Sequence, residues 1–465
     1  MGEGWAETDD ETPVRHRWSE SARFIPRVVV QPIQRFMDTS AAGALVMLGA
    51  AVLALVWVNS SFGPVYQELW DTRVQLGVGG LDALDGMTLR DWVNDGAMAF
   101  FFFVVALEIK RELVSGELRD PRAAALPVLA ALGGMVVPAL IFLGVNAGEP
   151  TEGGWGIPMA TDIAFAVAVV TAAGRRVPSG ARVFLLSLAI VDDLGAIIVI
   201  AAFYTKHLSL FWLLGAVAAA VTAWVLQRIH VRAVLPFALL ALLCWFCLHE
   251  SGVHPTLAGV AFGLLTPAWS FYDPGRFVGS AERLLDSVRE VFRDEVMSHE
   301  EYDVTRSAVR DMRRLAVDTE APLDHFETLM TPWVTFLVVP VFAFANAGLD
   351  LPPDAVTAWL HDDVALGVVL GLLVGKTVGV AGAAWLATRL RVAVLPSGTS
   401  WRHMLGVAMS AGVGFTVALF VTELAFSGPG PTESAKLGIF VGSTLSGIAG
   451  YLLLRTGRPV ADPAG

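Results

Sequence analysis

Asp192 and Asp193 stand side by side in Leu188-Ala-Ile-Val-Asp-Asp-Leu-Gly-Ala196, and Asp162 and Lys376 lie in two other apolar runs. A charged side chain at the centre of a membrane helix costs ~2.5–3.5 kcal/mol on insertion scales, so such residues need partners and usually have a role. A salt bridge that merely orients helices would explain one Asp with one Lys. A single lysine cannot neutralise three carboxylates, so the surplus needs protons or a metal cation. Neighbours on a helix diverge by about 100°, so Asp192 and Asp193 can line one cavity without coinciding. Their hard oxygens suit a hard cation such as Na⁺, which makes them the metal-ligating candidates. A proton and Na⁺ would compete for the same oxygens, and that competition is the thermodynamic basis of exchange.

Asp162 sits in Gly156-Ile-Pro-Met-Ala-Thr-Asp-Ile-Ala-Phe165, where glycine, proline and the Thr161-Asp162 pair should interrupt a helix. Ser410-Ala-Gly-Val-Gly-Phe-Thr416 should interrupt another in the second half. Broken spans at corresponding places in two halves point to a site between inverted repeats. Broken ends leave bare amides and carbonyls. Asp162 is expected to balance the positive helix ends and Lys376 the negative ones.

Lys376 closes Gly371-Leu-Leu-Val-Gly-Lys-Thr377, a near copy of a phosphate-binding loop with one residue too few between its glycines. Set in an apolar span, it does not read as an ATP site. Gly371, Gly375 and Gly379 form a small-residue stripe for close helix approach instead. Cys244 and Cys247 fall on one face of the apolar run 237–248 and read as packing. Leu107-Glu-Ile-Lys-Arg-Glu112 reads either as a basic anchor at a span end or as a charged funnel or pH-sensing cluster, with Glu108, Arg111 and Glu327 as candidates. His254, in Ser251-Gly-Val-His-Pro-Thr256, is placed at a helix start, where a capping role competes with a pH response.

The elements that must hold these residues are membrane helices. Of 465 residues, 55% are hydrophobic and 16% charged, and mean hydropathy is +0.60. Soluble domains average ~25% charged. The net charge of −12 does not imply a basic partner, and neither nucleic acid nor ATP is expected. About twelve apolar stretches, roughly 17–25 residues being needed for each span, fall at 41–59, 96–109, 124–146, 157–174, 183–204, 208–227, 233–249, 252–267, 332–348, 364–388, 403–426 and 435–454. If residues 1–39 are cytoplasmic, then of 32 Lys and Arg only Arg73, Arg90, Lys206 and Lys436 fall in outside connections and Lys376 within a span. That is the positive-inside bias, and it puts both termini in the cytoplasm. Residues 1–39 lack the features of a signal peptide.

The chain thus divides into a cytoplasmic segment 1–39, eight helices over 40–267, a charged cytoplasmic loop 268–331, four helices over 332–456 and a tail 457–465. Residues 60–93 contain Val74-Gln-Leu-Gly-Val-Gly-Gly80 and Met87-Thr-Leu89, a candidate extracellular β-hairpin. In the long loop, Leu284, Leu285, Val288, Val291 and Phe292 recur at helical spacing, so it is expected to be a soluble helical insert or partly disordered.

These stretches resemble the bacterial NhaA-type Na⁺/H⁺ antiporters. The resemblance is carried by Trp92-Val-Asn-Asp-Gly96, Phe101-Phe-Phe103, 107–112, Ala160–Phe165, 188–196, Ser251–His254, Pro340-Val-Phe-Ala-Phe-Ala-Asn-Ala-Gly348 and Gly375-Lys376, in order along the chain. The broken-helix rule itself draws on this family, so that match adds no independent support. The resemblance implies an all-α polytopic fold with the fourth and eleventh of twelve helices discontinuous and crossing. It implies that Asp192 and Asp193 exchange ion and proton, that Lys376 pairs with Asp192, and that Thr161 and Asp162 lie at the crossing. Glu108, Arg111 and Glu327 match a pH-responsive region, and 60–93 a hairpin used in homodimers. Transport would be electrogenic, in the cell membrane, with no cofactor. The long 268–331 loop and the N-terminal extension depart from the family's pattern.

Two other readings stay open on the residues alone. An intramembrane aspartyl protease needs Gly-x-Gly-Asp, but Gly412-Val-Gly414 is followed by Phe415. A transporter of an organic anion would have to accept a site built from three carboxylates.

Overall fold

A computed structural model describes residues 41–74, 86–205, 208–270, 272–291, 299–351, 359–426 and 428–456. The N-terminal segment, the tip of the expected hairpin and the C-terminal tail lie outside these residues.

The described chain is helical. Seven helices are long and apolar enough to cross a membrane, or ten spans result if each of three bent pairs counts as one. In chain order the first elements are α1 (Ala42–Val58), α2 (Gly63–Asp71), α3 (Met98–Val114, entered by a π-helical turn Trp92–Ala97) and α4 (Pro121–Val145). A 3-10 segment, Glu152–Met159, then meets α5 (Ile163–Ala172) at a 41° bend. Next come α6 (Ser179–Phe203), α7 (Leu210–Arg228), α8 (Val234–Ser251) and α9 (Leu257–Leu265). A hairpin of α10 (Pro274–Val291) and α11 (His299–Thr319) follows. α12 (Pro322–Trp333) runs through a π turn, Val334–Val338, into α13 (Val339–Asn346). The rest are α14 (Asp363–Leu370), a π turn Gly371–Gly375, α15 (Lys376–Arg389), α16 (Trp401–Ser410), α17 (Phe415–Ala425, bent 46° from α16) and α18 (Pro429–Arg455).

Burial sorts these helices. The Asp363–Arg389 span has 72% of its apolar window buried, and α7 only 17%. Exposed Leu, Val and Phe side chains run along α1, α7 and α8, a perimeter suited to lipid. At the centre, α4 packs on α15 through glycines. Gly379 meets the Gly133 carbonyl so closely that a Cβ would collide, and Gly375 lies against Pro138. The Gly371-Gly375-Gly379 stripe is therefore a packing surface, as its spacing suggests.

Some boundaries move. The stretch expected to begin at 332 is helical from Pro322, because Asp324, His325 and Glu327 lower the hydropathy without breaking the helix. The loop before it is a helical hairpin over its described residues. Leu323 N–H donates to the Pro267 carbonyl at 3.0 Å and closes the hairpin's base. The Asp318 carboxylate holds Arg232 at 2.6 Å. Lys436, sorted above into a connection, lies inside α18, buried, 2.9 Å from Glu423 of α17. Of the expected β-hairpin only the base is described. There Arg73 and Thr88 form one antiparallel bridge, with Val74 N–H donating to the Met87 carbonyl at 3.0 Å.

Candidate functional site

The two interrupted helices meet back to back, and the backbone explains how. Thr161 and Asp162 lie between the 3-10 segment and α5, where Ala160 and Asp162 are extended. Asp162 N–H donates to the Val413 carbonyl at 2.7 Å, and the Thr161 hydroxyl donates to the Ala411 carbonyl at 2.8 Å. Asp162 thus ties one break to the other. Its carboxylate caps α5 by accepting the Phe165 N–H at 3.2 Å, and it also accepts the Thr416 N–H at 3.1 Å and the Thr416 hydroxyl. Thr416 lies in the first turn of α17. Two positive helix ends therefore converge on one buried carboxylate, an arrangement favoured by both hydrogen bonding and the helix dipoles. Gly414 permits the approach, since a Cβ there would lie 2.9 Å from the Ala160 carbonyl oxygen.

Beside this crossing, Lys376 opens α15 directly after a π turn and reaches α6. Its Nζ lies 2.6 Å from Asp192 Oδ2, and the two side chains are 1% and 2% exposed. The lysine thus hydrogen-bonds a carboxylate rather than the negative helix ends expected above. A carboxylate carries a full negative charge against the roughly half charge of a helix C-terminus, so it attracts the ammonium more strongly. Asp192 also lies against Thr161 of the crossing, and its other oxygen, Oδ1, is buried.

Asp193 is buried at 5% exposure. Among the described residues it makes no hydrogen bond or ion pair. Its charged neighbours are Asp192, Glu108, Asp162 and Lys376. The three aspartates and one lysine read from the sequence are here gathered in one place, and Glu108 makes it four acids against one amine. Among the described residues no three His, Cys, Asp or Glu side chains cluster as a metal cage.

Glu108, Arg111 and Glu327 also come together. Arg111 of α3 forms an ion pair with Glu327 of α12, and Glu108 has Glu327, Arg111 and Glu112 as charged neighbours. Glu108 belongs to both charge groups, so the Asp193 site and this cluster adjoin. Glu112, Glu117, Asp120 and Ser187 line a cavity of about 820 Å³ that reaches α6 five residues before Asp192. His254 is not part of this cluster. Its Nε2 lies 3.2 Å from the Tyr204 carbonyl, at the other end of α6, which is a helix-end tie. Cys244 and Cys247 are free and buried.

Thr416 was not among the residues singled out from the sequence. Gly412-Val-Gly414, just before it, was the available signal, because a break there makes the next hydroxyl residue a capping group. The pair of buried Lys436 with half-buried Glu423 was also missed.

Comparison with known proteins finds relatives along most of the chain. The family model described as Na⁺/H⁺ antiporter 1 matches residues 34–454. A protein of Oleidesulfovibrio alaskensis named Na(+)/H(+) antiporter NhaA is 42% identical over 92% of this chain and 94% of its own length. One of the same name from Rhodopirellula baltica is 44% identical over 91% and 94%. One from Helicobacter pylori is 40% identical over 91% and 94%. Given a family match along most of its length and relatives of this identity, the chain is a multi-pass membrane protein that belongs to the Na⁺/H⁺ antiporter 1 family.

Proposed function

We propose that this protein exchanges Na⁺ or Li⁺ for H⁺ across the cell membrane, and that it is a transporter rather than an enzyme. One observation carries the reading. Asp192 and Asp193 lie buried at a crossing of broken helices, with a single lysine to balance them and Asp162. Such a group must take up cations or protons to be neutral. The curated relatives carry the matching name.

In this scheme the cargo ion enters from the cavity bordered by Glu112 and Ser187 and is held by Asp193 and Asp192. Its arrival replaces the Lys376 ammonium at Asp192. Asp193 gives up a proton when it binds the ion and the displaced Lys376 ammonium gives up another, so more than one proton moves per sodium ion and exchange is electrogenic. A partial ligand set suits cargo better than a full cage does, because an ion bound too tightly cannot leave. Asp162 and Thr161 hold the crossing while the site changes sides.

The finer architecture belongs to the same proposal. Twelve spans in inverted repeats would require the short α9, the α3 region and the bent pairs all to cross. Both termini and the α10–α11 hairpin would be cytoplasmic, and residues 60–93 would mediate a homodimer. Glu108, Arg111 and Glu327 would adjust activity to pH. His254 joins them from the sequence reading, acting through the end of α6. The test is reconstitution into liposomes that trap a pH-sensitive dye. Added Na⁺ or Li⁺ should collapse an imposed pH gradient, and silence at every pH across the neutral range would refute exchange.

A further inference from the structure

On α11, Arg306, Val309, Arg310, Arg313, Arg314 and Val317 recur at i, i+3, i+4, i+7, i+8 and i+11, which is one face of a helix. All six are exposed, Val309 by 60% and Val317 by 55%. Ala308 on another face is buried, with Met312 and Leu315 half-buried near it. Charge pairing differs in part between the hairpin's two helices, since among the described residues Arg283 of α10 bonds only Gly279 and Ser280. Arg276 and Arg289 of α10 are matched by Asp273 and Asp286 at 3.8 and 3.3 Å. None of the four α11 arginines has an ion pair among the described residues. Asp318, at the edge of the arginine face four residues after Arg314, binds Arg232 of the α7–α8 connection.

The hairpin is also tethered at the membrane. Its base is closed by the Leu323–Pro267 bond between the ends of α9 and α12, and Trp269 stands 69% exposed beside that base. An exposed tryptophan at a span end suits the headgroup region. We propose that the α11 stripe docks on anionic headgroups of the bilayer in which the protein sits, its arginines on lipid phosphates and its two valines among the headgroups. Arginines alone would be an ordinary solvated face, and valines alone would bury too little. Spaced together on one face, they match a charged surface with an apolar layer beneath. A tether at the membrane also keeps lipid at a higher effective concentration than any soluble acidic partner. The proposal rests on membrane residency and not on the exchange activity.

The experiment places a nitroxide on Val309→Cys, and on Asp311→Cys as the off-face control. The full-length protein is held in phosphatidylcholine nanodiscs with or without phosphatidylglycerol. The native cysteines are buried, so the introduced thiol takes the label. With phosphatidylglycerol present, the Val309 label should be relaxed by membrane-dissolved oxygen more than by a water-soluble nickel chelate, while the Asp311 label stays in water. High salt or omission of the anionic lipid should return Val309 to water. Combining Arg306→Gln, Arg310→Gln, Arg313→Gln and Arg314→Gln should weaken docking by roughly five-fold per arginine, with helix content by circular dichroism unchanged. If that variant loses helix, the salt and lipid dependence of the otherwise wild-type protein decides. A Val309 label that responds to neither lipid charge nor salt overturns the proposal. So does shielding by added polyglutamate with none from lipid.

Discussion

The Asp162 carboxylate accepts the backbone N–H and the hydroxyl of Thr416, so one side chain caps α5 and tethers the start of α17. The two breaks are therefore mechanically one unit. Thr416→Val keeps the shape but removes the hydroxyl donor. It should cost roughly 0.5–2 kcal/mol, the range for losing a helix cap. Asp162→Ala removes every bond of the carboxylate at once, strips the compensation from both helix ends and should cost more. Thermal unfolding in detergent ranks the two, and a ranking with Thr416→Val the more harmful would contradict this account.

Asp193 lacks a hydrogen bond or ion pair among the described residues and has three carboxylates for neighbours. Asp193→Asn should abolish exchange, to the level of protein-free liposomes. Because the substitution removes repulsion among buried charges, the unfolding temperature should stay level or rise. A variant that is inactive and also markedly less stable would make Asp193 a structural residue.

The chemistry of this site was legible because charges in apolar runs are costly. Asp162, Asp192, Asp193 and Lys376 stand out against their surroundings without any knowledge of the fold. Gly156, Pro158, Gly412 and Gly414 likewise announce interrupted helices. What could not be read was pairing across the chain. The residues alone suggested helix ends for Lys376, and only the family resemblance indicated Asp192, because that contact is set by how α15 packs on α4. Lys436 looked like part of a connection, since Glu423, which neutralises it, lies on another helix. Pro322 as a helix start was hidden by the charges that follow it, which local hydropathy counts against a span.

The Lys376–Asp192 pair should show strong coupling. Removing one partner of a buried pair leaves an uncompensated charge and costs about 3–5 kcal/mol. Lys376→Ala should therefore lower stability by that order, and Asp192→Ala should as well. The double substitution should be more stable than the sum of the single effects implies. A thermal-unfolding cycle in which the effects simply add would mean that the 2.6 Å contact carries no net energy.

Two glycines on α15 give a test of how Lys376 is positioned. Gly379 faces the Gly133 carbonyl with no room for a Cβ, whereas Gly382, less than one turn further on, has nothing within 4 Å of a Cβ built there. Overpacking a tight contact costs about 1–3 kcal/mol. A glycine-to-alanine change in an open helix position gains about 0.5–1 kcal/mol. Gly379→Ala should thus lower the unfolding temperature and push α15 away from α4, carrying Lys376 off Asp192 and slowing exchange. Gly382→Ala should be stable and active. If both behave alike, close approach of α4 and α15 is not what sets the lysine against its carboxylate.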